Sequence, residues 1–147
     1  MDDIATALKL RIAIQGQTDV LICAAARNVA LLENAGMERS QIRNVVNLAG
    51  ATESMEEVTN FIRYQIGRLP NVWGGFGKAL IADIERGVIK TALEAVMKEA
   101  PQSDPRRARA ELTARFLGYL NRCFVYAKQT NDWKNLCSNV EQTGGAV

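Results

Sequence analysis

Arg115, Tyr119, Arg122 and Tyr126 follow one another at intervals of four, three and four residues. At about 100° per residue, a helix carries all four on one face within roughly 60° of arc. A guanidinium forks onto phosphate oxygens, and a phenol ring stacks on a base or packs against a ribose. The chemistry this interleaving suits is contact with a sugar-phosphate backbone. The same pattern also fits a solvated helix edge whose tyrosines merely close the core. From Arg106 through Lys134 there are seven basic residues and two acidic ones, a local charge of +5. The whole chain, with 18 basic and 16 acidic residues in 147, reaches only +2. That is far from the charge of a free-standing nucleic-acid binder, so contact with a polyanion must come from local clustering.

Arg39, Arg43, Arg63 and Arg68 make a second basic set earlier in the chain. Gly67, between two of them, weakens its helix without closing a turn; close approach of RNA or protein backbone would explain it, as would early fraying before Pro70. Trp73 and Phe76 sit among the glycines of Val72–Lys78, where a flexible turn is expected to offer them as anchors for a partner protein.

Catalytic equipment is sparse. The chain has no histidine, which removes the commonest general base and the commonest metal ligand together. Glu56 and Glu57 suit a helix start, and Asp83 and Glu85 point to different sides of a helix, so neither pair forms an acid–base couple. Gly74-Gly75-Phe76-Gly77-Lys78 lacks the spacing, the Ser/Thr and the preceding strand of a phosphate loop. No enzyme, cofactor or metal site is expected. The three cysteines, Cys23, Cys123 and Cys137, are far apart and odd in number, which suggests free thiols and a reducing compartment. Met1-Asp2-Asp3-Ile4 does not read as a signal peptide, and no apolar run is long enough to span a membrane. A cytoplasmic location is expected.

The elements that would position these residues are helical throughout. Apolar residues recur at helical spacing, no alternating run is long enough for a sheet, and the expected fold is an all-α, single-domain bundle of about five helices. The first segment, Asp3 to Asn34, breaks near Gly16, restarts at Thr18 and stops at Gly36. A helix from Glu38 to Gly50 carries Ile42, Val45, Val46 and Ala49 inward. Ser54 and Glu57 match a capping box for the next helix, which Pro70 ends. After the glycine turn, one long helix is expected from Lys78 to Ala100, weakened at Gly87. Asp104-Pro105 opens the last helix, which runs to about Lys128. Residues 1–129 form the bundle; 130–147 read as a polar, frayed tail from which Trp133 can dock back.

Three segments together resemble one family. Ser40-Gln41-Ile42-Arg43-Asn44 opens a short helix, and Phe61-Ile62-Arg63-Tyr64-Gln65-Ile66-Gly67-Arg68 follows some twenty residues later. Phe116-Leu117-Gly118-Tyr119-Leu120-Asn121-Arg122-Cys123-Phe124-Val125-Tyr126-Ala127-Lys128 closes the series. This order resembles the small helical subunit of type III CRISPR effector complexes, the subtype A form above all, over roughly Glu38 to Lys128. Arg39 departs from the family's threonine and Ala127 from its histidine. The resemblance implies a non-catalytic subunit of an antiviral ribonucleoprotein. Its partners would be other effector subunits, guide RNA and target RNA, with copies associating along the complex. It places RNA contacts at Arg43, Arg63, Tyr64, Arg68, Tyr126 and Lys128; Arg115, Tyr119 and Arg122 join them from the helical projection. A helical adaptor or oligomerisation domain that binds only protein is the alternative.

Overall fold

The N-terminal apolar stretch divides at Gly16 into α1 (Asp2–Gln15) and α2 (Thr18–Ala30), both present in the computed structural model, which describes residues 2–138. Thr18 Oγ1 donates to the Gln15 carbonyl at 2.7 Å rather than capping α2. The chain leaves α2 through Asn34 and Gly36, both in the left-handed region (φ 64° and 76°). Glycine meets no Cβ penalty there, which is why Gly36 suits the turn. α3 (Arg39–Ala51) begins with the Gln41 side chain accepting from the Glu38 N–H at 3.1 Å. α4 (Met55–Arg68) starts at Ser54, whose hydroxyl accepts from the Glu57 N–H at 3.1 Å. Only that half of the expected capping box forms, because the Ser54 N–H donates to Thr52 Oγ1 instead.

The segment after Pro70 departs from expectation. Val72–Lys78 is not a turn but the first half of α5 (Pro70–Glu85), separated from α4 by Leu69 alone. Proline at the first helical position has no N–H to waste, so Pro70 begins a helix rather than ending one. The long helix expected from Lys78 to Ala100 is divided at Arg86-Gly87, where α6 (Val88–Glu99) begins. Gly87 is required at this corner: a Cβ there would lie 2.5 Å from Asp83 Oδ1. The Asp83 carboxylate accepts from the Val88 N–H at 3.3 Å and from Asn28 Nδ2 at 2.7 Å, tying α2, α5 and α6 together. α7 (Pro105–Thr130) is capped by Asp104, which accepts from the Arg106 N–H at 3.1 Å, and ends at left-handed Asn131. The described residues thus hold seven helices where about five were expected, and no strand.

α7 is the axis of the bundle, packed against α2, α3 and α6, while α4 and α5 form a close pair to one side. The core is continuous, from Ile14 and Leu21 through Ile62, Trp73 and Leu80 to Phe116 and Phe124. Gly77 sets the α4–α5 distance, since a Cβ there would fall 2.6 Å from Ile66 Cγ1. Gly74 and Gly75 have no such neighbour. Gly77→Ala is therefore expected to lower stability by about 1–3 kcal/mol through overpacking, whereas Gly75→Ala raises it by up to about 1 kcal/mol. Urea denaturation of both variants reads the difference; equal effects would mean that the helices do not meet at Gly77.

Trp73 and Phe76 are not a partner surface. They are 0% and 2% exposed, with ring centroids 5.5 Å apart, because helix α5 turns them into the core. The cysteine expectation is also corrected: Cys23 of α2 and Cys137 form a disulfide across 114 residues, leaving Cys123 as the free thiol. An odd count implies at least one unpaired cysteine, not the absence of a pair. The described part of the tail is held down. Trp133 is 8% exposed and meets Phe124 edge-on at 6.1 Å, and its Nε1 donates to Asn131 Oδ1. Residues 139–147 of that tail lie outside the described residues. Cross-linking a loop this long restricts the unfolded chain, so Cys137→Ser under oxidising conditions should cost about 2–4 kcal/mol. An unchanged denaturation midpoint would show that the disulfide adds nothing to the hold of Trp133 and Leu136 on the core.

Candidate nucleic-acid interface

The burial of Leu112, Phe116, Leu120 and Phe124 fixes the rotation of α7. That rotation leaves the face with Arg115, Tyr119, Arg122 and Tyr126 at the edge of the core. Arg115 and Tyr119 are half-buried, while Arg122 and Tyr126 are exposed. The Arg122 guanidinium lies 5.9 Å from the Tyr119 ring centroid, so the two side chains form a stacked step of the ladder. The Tyr126 hydroxyl donates to Asp132 Oδ2 at 3.3 Å. The Asp132 carboxyl is held below its ordinary value first by the Asn135 N–H and further by Lys134 and Tyr126. Neither Arg115 nor Arg122 has a carboxylate within 4.0 Å among the described residues. Arg115 also lines a groove of about 600 Å³ between α1 and α7, with Arg11 and Arg107 on its walls.

Lys128 does not join this ladder. Six residues beyond Arg122 it lies about 120° away round the helix, and its ammonium donates to the Met37 carbonyl at 2.5 Å over the Phe124 ring. It pins the end of α7 to the loop before α3. Arg39 makes a similar link, donating to Gln129 Oε1 at 3.1 Å.

The other expected residues sit elsewhere. Arg43 is exposed on α3. Arg63, Tyr64 and Arg68 are exposed on α4, whose buried positions Val58, Ile62 and Gln65 turn the opposite face inward. Arg68 lies 5.8 Å from the Tyr64 ring centroid and donates to Gln65 Oε1 at 2.9 Å. Arg63 is not free: its guanidinium pairs with Glu85 of α5 at 3.0 Å. Among the described residues no side-chain hydrogen bond or ion pair joins α4 to α7. Seven of the expected RNA-contact residues thus form two groups, an α7 ladder and an α4 cluster, while Arg43 and Lys128 belong to neither; α3 packs against both helices.

Lys78 on α5 and Arg86, just past its end, stand beside Arg63 and were not anticipated. The signal was present: with Pro70 as a helix start, Lys78, Ile81 and Glu85 fall at helical spacing on one face. No group of three or more candidate metal ligands occurs among the described residues. Burial pushes the Cys123 thiol above its ordinary value, which keeps it neutral and a weak nucleophile.

Comparison with protein-family models, with curated proteins and with solved structures found no match to this chain. No helix among the described residues is long and apolar enough to cross a membrane.

Proposed function

We propose that this chain is a non-catalytic small subunit of a type III CRISPR RNA-guided effector complex. In that role it contacts the sugar-phosphate backbone of the guide–target duplex and bridges neighbouring subunits in antiviral defence in the cytoplasm. The observation that carries this reading is the α7 ladder, in which guanidiniums without carboxylate partners alternate with two tyrosines along one helix edge. The order of the Ser40–Asn44, Phe61–Arg68 and Phe116–Lys128 segments supports it through the family resemblance. Contact through a few phosphates makes binding weak for the chain alone and strongly salt-dependent. The test is assembly: a chain with Arg63, Arg68, Arg115 and Arg122 all changed to glutamate should keep its helicity and fail to reach normal target affinity in the RNA-loaded complex. Normal affinity in that complex would overturn the proposal.

One observation favours a second reading, a protein-binding adaptor or oligomerisation domain. Ile4, Leu8 and Ile12 form an i, i+4, i+8 stripe on α1 and are 77%, 56% and 59% exposed. A partner interaction that persists in high salt, without RNA cross-links, would support that reading instead.

A further inference from the structure

We propose that the cleft between α4 and α5 is a second seat for an RNA backbone phosphate, and that Glu85 acts there as an internal competitor for the arriving anion; this rests on the RNA-contacting reading above. The cleft encloses about 490 Å³ and is lined by three cations, Arg63, Lys78 and Arg86, around one carboxylate, Glu85. Its local charge is therefore +2, equal to the formal charge of the entire chain.

Glu85 holds both neighbouring guanidiniums, Arg63 at 3.0 Å and Arg86 at 3.5 Å. Both arginine side chains are more than half exposed, at 53% and 70%. Exposed ion pairs of this kind contribute little to stability and exchange readily. Lys78 has no carboxylate within 4.0 Å among the described residues. A phosphate entering the cleft meets Lys78 directly and draws the two guanidiniums away from Glu85, since their N–H groups outnumber the two oxygens they now serve.

Gly67 supplies the independent observation. It lines the same cleft, it is exposed in the last turn of α4, and a Cβ built on it meets nothing within 4 Å. No contact inside the chain calls for glycine at this position, unlike Gly77 on the facing helix, where Ile66 excludes a side chain. A bare backbone on the wall of a cationic cleft admits the close approach of a sugar-phosphate chain. Phosphate, rather than a base, fits the arrangement: the walls offer charge and backbone, and the apolar lining is aliphatic, Ile66 and Ile81, with no ring to stack on.

The experiment is fluorescence anisotropy of a labelled guide–target RNA duplex with the full chain, at several salt concentrations, with melting temperatures measured in parallel. Glu85→Gln should tighten binding several-fold and steepen the salt dependence, by up to about 0.9 in log–log slope for each further phosphate neutralised. Lys78→Ala/Arg86→Ala should weaken binding about tenfold or more and flatten that slope. Gly67→Ala should raise the melting temperature yet weaken binding, an outcome that a purely structural role cannot give. If Glu85→Gln and Lys78→Ala/Arg86→Ala leave affinity unchanged while Arg115→Glu/Arg122→Glu weakens it, the cleft assignment is wrong and the α7 reading stands. If the wild-type chain binds no RNA at any salt concentration, both fail together. Displacement of the RNA from Lys78-dependent binding by an acidic peptide of matched charge at far lower concentration than unlabelled RNA requires would overturn the phosphate assignment in favour of a protein ligand.

Discussion

Trp73→Ala is expected to destabilise the protein by about 3–5 kcal/mol, a large fraction of the stability of a domain this size. The indole is fully buried, packs on Phe76 at 5.5 Å and belongs to the continuous core beside Ile62 and Leu80. Its removal leaves a cavity that neighbouring helices can fill only in part. Trp73→Phe separates size from polarity. Trp73 Nε1 is buried without a hydrogen-bond partner, and losing an unsatisfied donor offsets about 1–3 kcal/mol of the lost packing. The phenylalanine variant should therefore be markedly closer to wild type than the alanine variant. Urea denaturation measures both. An alanine variant of unchanged stability would return Trp73 to the surface role that its glycine-rich neighbourhood suggested.

Arg115→Glu/Arg122→Glu is expected to reduce affinity for an RNA duplex by about 100-fold or more, since each guanidinium–phosphate hydrogen bond contributes about 1.5–3 kcal/mol. Charge reversal adds repulsion to the lost contacts. Neither residue has a carboxylate within 4.0 Å among the described residues, so their replacement breaks no ion pair of the fold. The loss should be similar for unrelated sequences, because phosphate contacts carry no base information. Arg63→Ala should cost less, because in the free protein its guanidinium already pairs with Glu85. Anisotropy titrations at fixed salt give the ranking. An Arg63 effect larger than that of the α7 pair would shift the principal contact to α4.

The helical class, the stop at Gly36, the start at Ser54 and the course of α7 were all legible in sequence, because each rests on local signals such as periodicity, caps and a glycine with positive φ. The misreadings have one common source, residues whose meaning depends on tertiary neighbours. Pro70 ends one helix and begins the next, and sequence alone favoured only the first role. Gly77 looked like a turn residue, yet it is small because Ile66 of α4 presses against it. Gly87 looked like a weak point within a helix, yet it is a corner closed by Asp83. Without α5, the sequence pattern places Trp73 and Phe76 at the surface and offers no RNA contact at Lys78 or Arg86. Cys23 and Cys137 were beyond local reasoning, since no pattern reveals a pairing across 114 residues. A cytoplasmic setting would keep that pair reduced, leaving Trp133 and Leu136 to hold the segment against the core.

On α7 the projection from spacing was sound for Arg115, Tyr119, Arg122 and Tyr126, because the buried stripe through Phe116 and Leu120 fixes where they face. It carried no information about Lys128, whose ammonium is held by the Met37 carbonyl.

Ultraviolet cross-linking of the RNA-loaded complex, followed by identification of the modified peptides, reads out which side chains of this chain lie against RNA. Tyr119 and Tyr126 should carry RNA adducts, and Arg115→Glu/Arg122→Glu should abolish them. Adducts confined to other helices, or a complex that assembles with no adduct anywhere on this chain, would mean that the α7 ladder is not an RNA contact.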